Sequence, residues 1–179
     1  MRIGCALAGC GTQGLAWLVA GIGALALIGA WIFQYGFHIL PCPLCLEQRY
    51  AYYLAIPLSA LIALIARRAP RALIGGGLVV VALAMLINAG LGVYHSGVEW
   101  GWWAGPKDCT GPITELGKGG GSLLNQLNTI TLVRCDEVQW RFLGLSLAGY
   151  NVLSSLAMAL LALLAAALAW CGKDGGGAC

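Results

Sequence analysis

Two cysteines separated by two residues, Cys42 and Cys45, are the side chains in this sequence best suited to redox chemistry. Thiols at this spacing can interconvert with a disulfide, and the thiolate is the reactive form. Pro43 suits the first position of a helix, which would place Cys45 in the first turn, where the helix N-terminus stabilises a thiolate. Arg49 follows Cys45 by four residues and would add a positive charge on the same helix face. The spacing therefore predicts a reactive dithiol at the start of a helix.

The chain holds eight cysteines, and a second pair could work with the first. A disulfide between Cys109 and Cys135 would tie a long segment, either as a static staple or as a labile bond that exchanges with other thiols. Both pairs together could instead bind zinc, although zinc motifs usually have closely spaced cysteines in each half. We expect a labile disulfide and no metal. The remaining cysteines are expected to be reduced and non-essential: Cys5, Cys10, Cys171 and Cys179.

The elements that position these thiols are predicted to be membrane-spanning helices. Hydrophobic residues make up 60% of the 179 residues and charged residues 9%, whereas a soluble domain carries about 25% charged residues. We predict one all-α membrane domain over residues 1–179, a four-transmembrane-helix bundle with outer loops at about 36–41 and 95–141. Asn88 is expected to hydrogen-bond a neighbouring helix. The four spans lie at about residues 15–35, 45–66, 72–94 and 142–170.

The charges outside the spans predict the orientation of the bundle. Arg67, Arg68 and Arg71 lie in the short connection between the second and third spans, and the positive-inside rule places such segments in the cytoplasm. With four spans, both termini then also lie in the cytoplasm. The first cysteine pair and the long loop would face the opposite, oxidising side, where disulfides persist. A net charge of +3 without a basic patch gives no indication of nucleic-acid binding.

Polar residues near the outer ends of the spans suggest a ligand for this site. Arg49 and His95 are predicted at about the same depth, where both could donate hydrogen bonds to a carbonyl oxygen. Gln34, at the end of the first span, is a third candidate. A quinone carries two carbonyls and a lipid-soluble tail, so it could reach Cys45 from within the bilayer. We therefore expect these four residues to contact a quinone.

The order of the motifs resembles the bacterial disulfide bond formation protein B (DsbB) family over about residues 15–170. The resemblance implies an inner-membrane protein-dithiol:quinone oxidoreductase that sustains disulfide bond formation. It implies that Cys109 and Cys135 oxidise a soluble periplasmic DsbA-like, thioredoxin-like protein, and that Cys42 and Cys45 re-oxidise that pair. Cys45 would then pass the electrons to ubiquinone or menaquinone, with Arg49 and His95 near the ring. The matching elements are Trp31-x-x-Gln34, Pro41-Cys42-x-x-Cys45-x-x-x-Arg49, Tyr94-His95, the Cys109 and Cys135 pair, and Gln139-Trp140-x-Phe142-Leu143-Gly144.

Two other kinds of four-span protein are alternatives to this interpretation. A vitamin K epoxide reductase-like enzyme also couples a C-x-x-C motif to quinone, but its motif comes in the last helix of the bundle, whereas here it opens the second span. A tetraspanin-like scaffold would carry structural loop disulfides and would not need Cys45 and Arg49 on one helix face. The sequence also departs from the DsbB pattern at Gln48, which stands where some members carry Glu.

Overall fold

The computed structural model of the chain describes residues 3–106, 135–136, 138 and 140–171, with side chains from residue 11 onward. Within these residues, four long helices form the predicted all-α bundle, and each is long and apolar enough to cross a membrane. The elements are, in chain order, α1 (Ile3–Trp31) with a π-helical extension (Ile32–Gly36), α2 (Pro43–Ile65), α3 (Arg71–Glu99), the strands β1 (Arg141–Phe142) and β2 (Leu145–Ser146), and α4 (Leu147–Cys171).

Local sequence explains where α2 and α3 begin. Cys42 has extended backbone angles (φ −71°, ψ 164°) and caps α2, and Pro43 takes the first helical position, as predicted. Pro70 precedes α3 with a similar backbone (φ −56°, ψ 139°). Because proline has no N–H to leave unpaired, it suits the start of a helix inside a bilayer. Cys45 therefore lies in the first turn of α2, at the end of the bundle that we call the thiol end.

Two helix boundaries differ from the predicted span ends. The sequence predicts that the third span ends at Tyr94, but α3 continues for one more turn to Glu99, and His95 is a buried helical residue. The fourth span is predicted from Phe142, but Phe142 pairs with Leu145 in a small hairpin and α4 begins only after it. The two turn residues, Leu143 and Gly144, have positive φ angles of 49° and 82°, as a two-residue hairpin requires.

The helices form a ring in chain order, in which each helix packs against its neighbours in sequence and α4 closes the ring on α1. The core is built largely from alanines, which let the helix backbones approach closely in the absence of a hydrophobic driving force between helices. The opposite end from the thiols is the arginine end, defined by Arg67, Arg68 and Arg71. Its core cluster consists of Ala16, Ile62, Ala63, Ile74, Leu78, Ala165, Ala166 and Ala169.

A hydrogen-bonded network crosses the middle of the bundle. Tyr52 Oη on α2 donates to Asn151 Oδ1 on α4 at 2.7 Å and lies 2.7 Å from Ser154 Oγ. Asn88 Nδ2 on α3 donates to Asn151 Oδ1 at 3.2 Å and to Ser155 Oγ at 2.9 Å. The prediction that Asn88 makes a helix–helix hydrogen bond is therefore confirmed, and the network joins three of the four helices.

Candidate active site

The two thiols of the first pair meet at the start of α2. The backbone N–H of Cys45 donates to Cys42 Sγ at 3.4 Å, and the two Sγ atoms lie 3.3 Å apart. Cys42 is 3% exposed, whereas Cys45 is half-buried. The sequence predicts that the helix N-terminus stabilises a thiolate at Cys45. The structure assigns this stabilisation to Cys42 instead, because the capping residue, and not a residue inside the first turn, accepts the free N–H.

His95 from α3 lies against Cys42. His95 Nε2 is 3.6 Å from Cys42 Sγ, and His95 Nδ1 is 3.2 Å from Gln48 Nε2. When the Gln48 amide donates to Nδ1, the ring proton of a neutral histidine is on Nε2, which faces the Cys42 sulfur. Glu99 Oε1, one turn further along α3, lies 3.9 Å from the same Nε2. Gln48, the residue that departs from the family pattern, thus sets the orientation of His95.

The pKa of Cys42 is lowered from its ordinary value to about 4. The largest cause is the hydrogen bond from the Cys45 side chain, and burial acts in the opposite direction. The hydrogen bond and the charge interaction with His95, together with the Cys45 backbone N–H, lower it further. Cys42 in its reduced form is therefore a thiolate at neutral pH, which is the form that attacks a disulfide.

Arg49 joins α2 to the π-helical extension of α1. Its guanidinium donates to Gln34 Oε1 at 2.6 Å, a charge-assisted hydrogen bond. The sequence predicts that Arg49 acts on the Cys45 sulfur, but its described hydrogen bond is to Gln34. A guanidinium has five N–H donors, so the bond to Gln34 leaves others for a ligand.

Cys135 packs at the thiol end with the first cysteine pair. It is 1% exposed and belongs to a buried cluster with Cys42, Leu44 and Val98, against which Cys45 also packs. Cys135 is disulfide-bonded, while Cys42 and Cys45 are free thiols. Cys109, its predicted partner, lies outside the described residues. One member of the predicted second pair is thus in the same buried cluster as the first pair.

A cavity of about 480 Å³ opens beside Cys45. Residues of α1, α2, α4 and the hairpin line it, and most of them are aliphatic or aromatic. Of the four predicted quinone contacts, Cys45 and Arg49 line this cavity. Among the described residues, the other two lie behind them, because Gln34 contacts Arg49 and His95 contacts Cys42. The polar lining consists of Cys45, Gln48, Arg49, Tyr52, Tyr150, Asn151 and Ser154.

The chemistry of this cavity fits a quinone. Binding sites for small molecules are typically about 300–1,000 Å³ and mostly apolar, with a few polar groups that set orientation. Leu25, Phe33 and Trp140 supply apolar walls for a ring and its tail. The Arg49 guanidinium can donate to a carbonyl oxygen, and Cys45 places a redox-active sulfur in the same wall.

A zinc site is poorly supported by the described donors. The ligand atoms of Cys42, Cys45 and His95 lie within 4.8 Å of one another. Structural zinc sites take four ligands. Cys135, one of the four ligands in the zinc alternative, is in a disulfide and therefore has no thiolate to offer.

The sequence analysis did not single out several polar residues of the cavity, among them Tyr52, Asn151 and Ser154. The signal available for Tyr52 is its spacing, since Cys45, Gln48 and Tyr52 recur at helical intervals on one face of α2. No comparable signal exists for the α4 residues. Their relation to the site depends on how α4 is rotated against α2.

A membrane bundle with a buried dithiol at one end, next to an apolar cavity, defines a class of protein, the membrane-embedded thiol–disulfide oxidoreductases. The family model described as disulfide bond formation protein DsbB matches residues 12–165. The chain therefore belongs to the DsbB family, a multi-pass membrane family that functions in disulfide bond formation. This assignment decides against the vitamin K epoxide reductase-like and tetraspanin-like alternatives.

Individual relatives agree with the family model. A disulfide bond formation protein B of an Azoarcus species is 33% identical over 149 residues, which cover 78% of this chain and 82% of the relative. Another, from Aromatoleum aromaticum, is 32% identical over 146 residues, covering 77% and 82%. An uncharacterised protein of Rickettsia prowazekii is 30% identical over 138 residues, covering 76% and 77%. No solved structure matches the chain.

Proposed function

We propose that the chain oxidises a soluble periplasmic DsbA-like dithiol protein and passes the electrons to membrane quinone, either ubiquinone or menaquinone. The partner dithiol first exchanges with a Cys109–Cys135 disulfide, which becomes a dithiol. That dithiol exchanges with the Cys42–Cys45 disulfide. Oxidation of the resulting Cys42–Cys45 dithiol releases two electrons and two protons, and reduction of one quinone to hydroquinone takes up both.

The observation that carries this proposal is the placement of the two thiols of one pair. Cys45 lines the cavity, while Cys42 is in a buried cluster with Cys135. The Cys42–Cys45 pair therefore lies between Cys135 and the cavity. Electrons that arrive at Cys42 by thiol–disulfide exchange need to move only to the neighbouring sulfur, 3.3 Å away, to reach the cavity wall.

The residues around the pair have separate roles in this proposal. The hydrogen bond from Cys45, together with His95 and the helix N-terminus, keeps reduced Cys42 as a thiolate, the form in which it can close the disulfide with Cys45 again. Gln48 orients His95. Arg49, held by Gln34, donates to a quinone carbonyl. A bound quinone supplies a two-electron acceptor that is soluble in the bilayer.

Redox potentials explain why such an acceptor is needed. DsbA-type partners have potentials of about −120 mV, whereas structural disulfides lie below about −300 mV. Oxidation of such a partner by a structural disulfide would be uphill by roughly 8 kcal/mol, at 1.4 kcal/mol per 30 mV. The electrons therefore need a more oxidising final acceptor, which quinone provides.

The proposed orientation puts the thiol end in the periplasm and the arginine end, with both termini, in the cytoplasm of a bacterial inner membrane. Arg67, Arg68 and Arg71 support it through the positive-inside rule. The same orientation puts the second cysteine pair in the oxidising periplasm, where the soluble DsbA-like partner is found.

The test is anaerobic mixing of the purified chain, a short-chain ubiquinone and a reduced DsbA-type protein, with quinone absorbance followed in time. We expect one quinone reduced for each partner dithiol oxidised, at a rate that depends on the chain. Quinone that stays oxidised while the partner is oxidised would contradict the proposal, as would a partner that stays reduced.

A further inference from the structure

The inner wall of the cavity carries more polar groups than the proposed electron route uses. Tyr52, Asn151 and Ser154 line the cavity beyond Arg49, deeper in the bundle. Asn151 Oδ1 accepts hydrogen bonds from Tyr52 and Asn88, and Asn151 Nδ2 is buried against Gly92 of α3, so Asn151 holds Tyr52 in place at the cavity wall. Polar side chains at membrane depth are costly unless they are paired or serve a ligand. This part of the wall therefore needs an explanation.

We propose that Tyr52 and Ser154, positioned by Asn151, form a second hydrogen-bonding site for the quinone, which binds the carbonyl opposite the one that faces Arg49. The inference rests on the proposed function, because it assigns the second carbonyl of the same ligand. A ring held at both carbonyls has one orientation in the cavity, with one edge towards Cys45 and the other towards Tyr52.

The spacing along α2 is compatible with two-point binding. Arg49 and Tyr52 are three residues apart, about 4.5 Å along the helix axis at 1.5 Å per residue. A para-quinone has its carbonyls on opposite sides of one six-membered ring. Both carbonyls can therefore be reached from the same face of α2, while Ser154 approaches the second one from α4.

The hydroxyl groups suit a ligand whose hydrogen-bonding character changes on reduction. A quinone carbonyl only accepts hydrogen bonds, whereas a hydroquinone hydroxyl also donates. Ser154 Oγ donates to the backbone carbonyl of Asn151 at 3.1 Å, three residues earlier in the helix. The hydroxyl can rotate away from such a local bond towards a ligand. Ser154 can therefore donate to the quinone and accept from the hydroquinone. Tyr52 can accept from the hydroquinone as it stands, and it can donate to the quinone when its hydrogen turns from Asn151 Oδ1 to the ligand.

The neighbouring part of the network provides a contrast. Ser155 is fully buried, accepts from Asn88 and does not line the cavity. Ser155 and Asn88 join helices, as polar groups do in membrane bundles. Ser154 and Ser155 are thus adjacent, chemically identical residues, of which only Ser154 faces the cavity.

This pair allows a matched experiment on the full-length chain. We expect Ser154→Ala to raise the dissociation constant of decylubiquinone about threefold to tenfold, the effect of one net hydrogen bond, and to lower thermal stability no more than Ser155→Ala does. Ser155→Ala should lower thermal stability and leave the dissociation constant near that of the wild type. Quenching of tryptophan fluorescence measures binding, because Trp140 lines the cavity.

Tyr52→Phe is the second variant, since it removes only the hydroxyl, and it should also weaken binding. The KM for quinone should rise in both cavity variants more than kcat falls. Unchanged binding in Ser154→Ala and Tyr52→Phe would overturn the inference, as would an equal loss in Ser155→Ala. If the wild type itself neither binds nor reduces decylubiquinone, the proposed function fails instead, so the two failures are distinguishable.

Discussion

At the arginine end of the bundle, alanines and branched aliphatic side chains fill the space between helices. At the thiol end, the corresponding space holds Cys42, Cys135, His95 and Gln48, and a cavity opens beside Cys45. The two ends are made by the same four helices and differ mainly in side chains. Among the described residues, the arginine end brings backbones close together, and a Cβ at Gly75 would overlap the Trp170 ring.

The difference indicates that stability and chemistry are separated along the bundle axis. Close packing of small residues is a principal source of helix association in membranes. A cavity forfeits such contacts, so the thiol end contributes less to folding per residue. Changes at the thiol end should therefore alter redox behaviour while the bundle remains folded, and changes at the arginine end should do the opposite.

The largest effect is expected at Cys45. Cys45→Ser removes the sulfur that lines the cavity, so quinone reduction by a reduced dithiol partner should fall to background. The thermal stability should stay near that of the wild type. Cys171→Ser is the matched control, because Cys171 is a free, exposed thiol at the other end of the bundle. Turnover that survives in Cys45→Ser would exclude the proposed electron route.

The pKa of Cys42 provides the next test. We expect the thiolate absorbance of the reduced protein to titrate at about pH 4. Cys45→Ala should raise the Cys42 pKa more than His95→Asn does, because the hydrogen bond from Cys45 is the largest cause of the lowered pKa. The Cys42 pKa is lower in the folded chain than its unfolded value of about 8.5. The reduced form should therefore gain stability as pH rises from about 4 to about 8.5, and lack this contribution below about 4. If the Cys42 pKa rose more in His95→Asn than in Cys45→Ala, His95 and not Cys45 would be the larger cause of the lowered pKa.

A smaller effect is expected from the two arginines that each contact a glutamine of α1. Arg49 donates to Gln34 at the thiol end, and Arg67 donates to Gln13 at the arginine end. Arg49→Ala should raise the KM for quinone about tenfold to a hundredfold, the range for a hydrogen bond to a charged group. Arg67→Ala should leave this KM unchanged. Equal KM values in the two variants would remove Arg49 from the quinone site.

The smallest effect is expected from two adjacent glycines at the arginine end. A Cβ at Gly75 would overlap the Trp170 ring, whereas a Cβ at Gly76 would meet no atom within 4 Å. Gly75→Ala should therefore lower the free energy of unfolding by about 1–2 kcal/mol, and quinone reduction per folded molecule should not change. Gly76→Ala should be neutral or stabilise the helix by up to about 1 kcal/mol. Thermal unfolding in detergent compares the two variants. Equal stabilities of Gly75→Ala and Gly76→Ala would argue against close packing at the arginine end.

Features that depend on neighbouring residues in sequence were predicted well. The four helices and the position of Pro43 follow from composition and from the chemistry of a helix start, whereas the role of Cys42 as the helix cap was not predicted. The face that each helix turns towards its neighbours was harder to predict. His95 was expected near the ring with Arg49, but the rotation of α3 puts it against Cys42. The bond between Tyr52 and Asn151 joins residues that are 99 positions apart, and no local pattern marks it.

Labelling with a photoreactive quinone shows where in the bundle the ligand binds, which we propose is the cavity lined by Cys45. Membranes that contain the chain would be irradiated with the analogue, digested, and analysed by mass spectrometry. We predict labelled peptides from 25–33 of α1, 45–52 of α2 and 147–154 of α4, with labelling suppressed by excess decylubiquinone. Labelling confined to α3 or to the arginine end, or labelling that decylubiquinone does not suppress, would contradict the account.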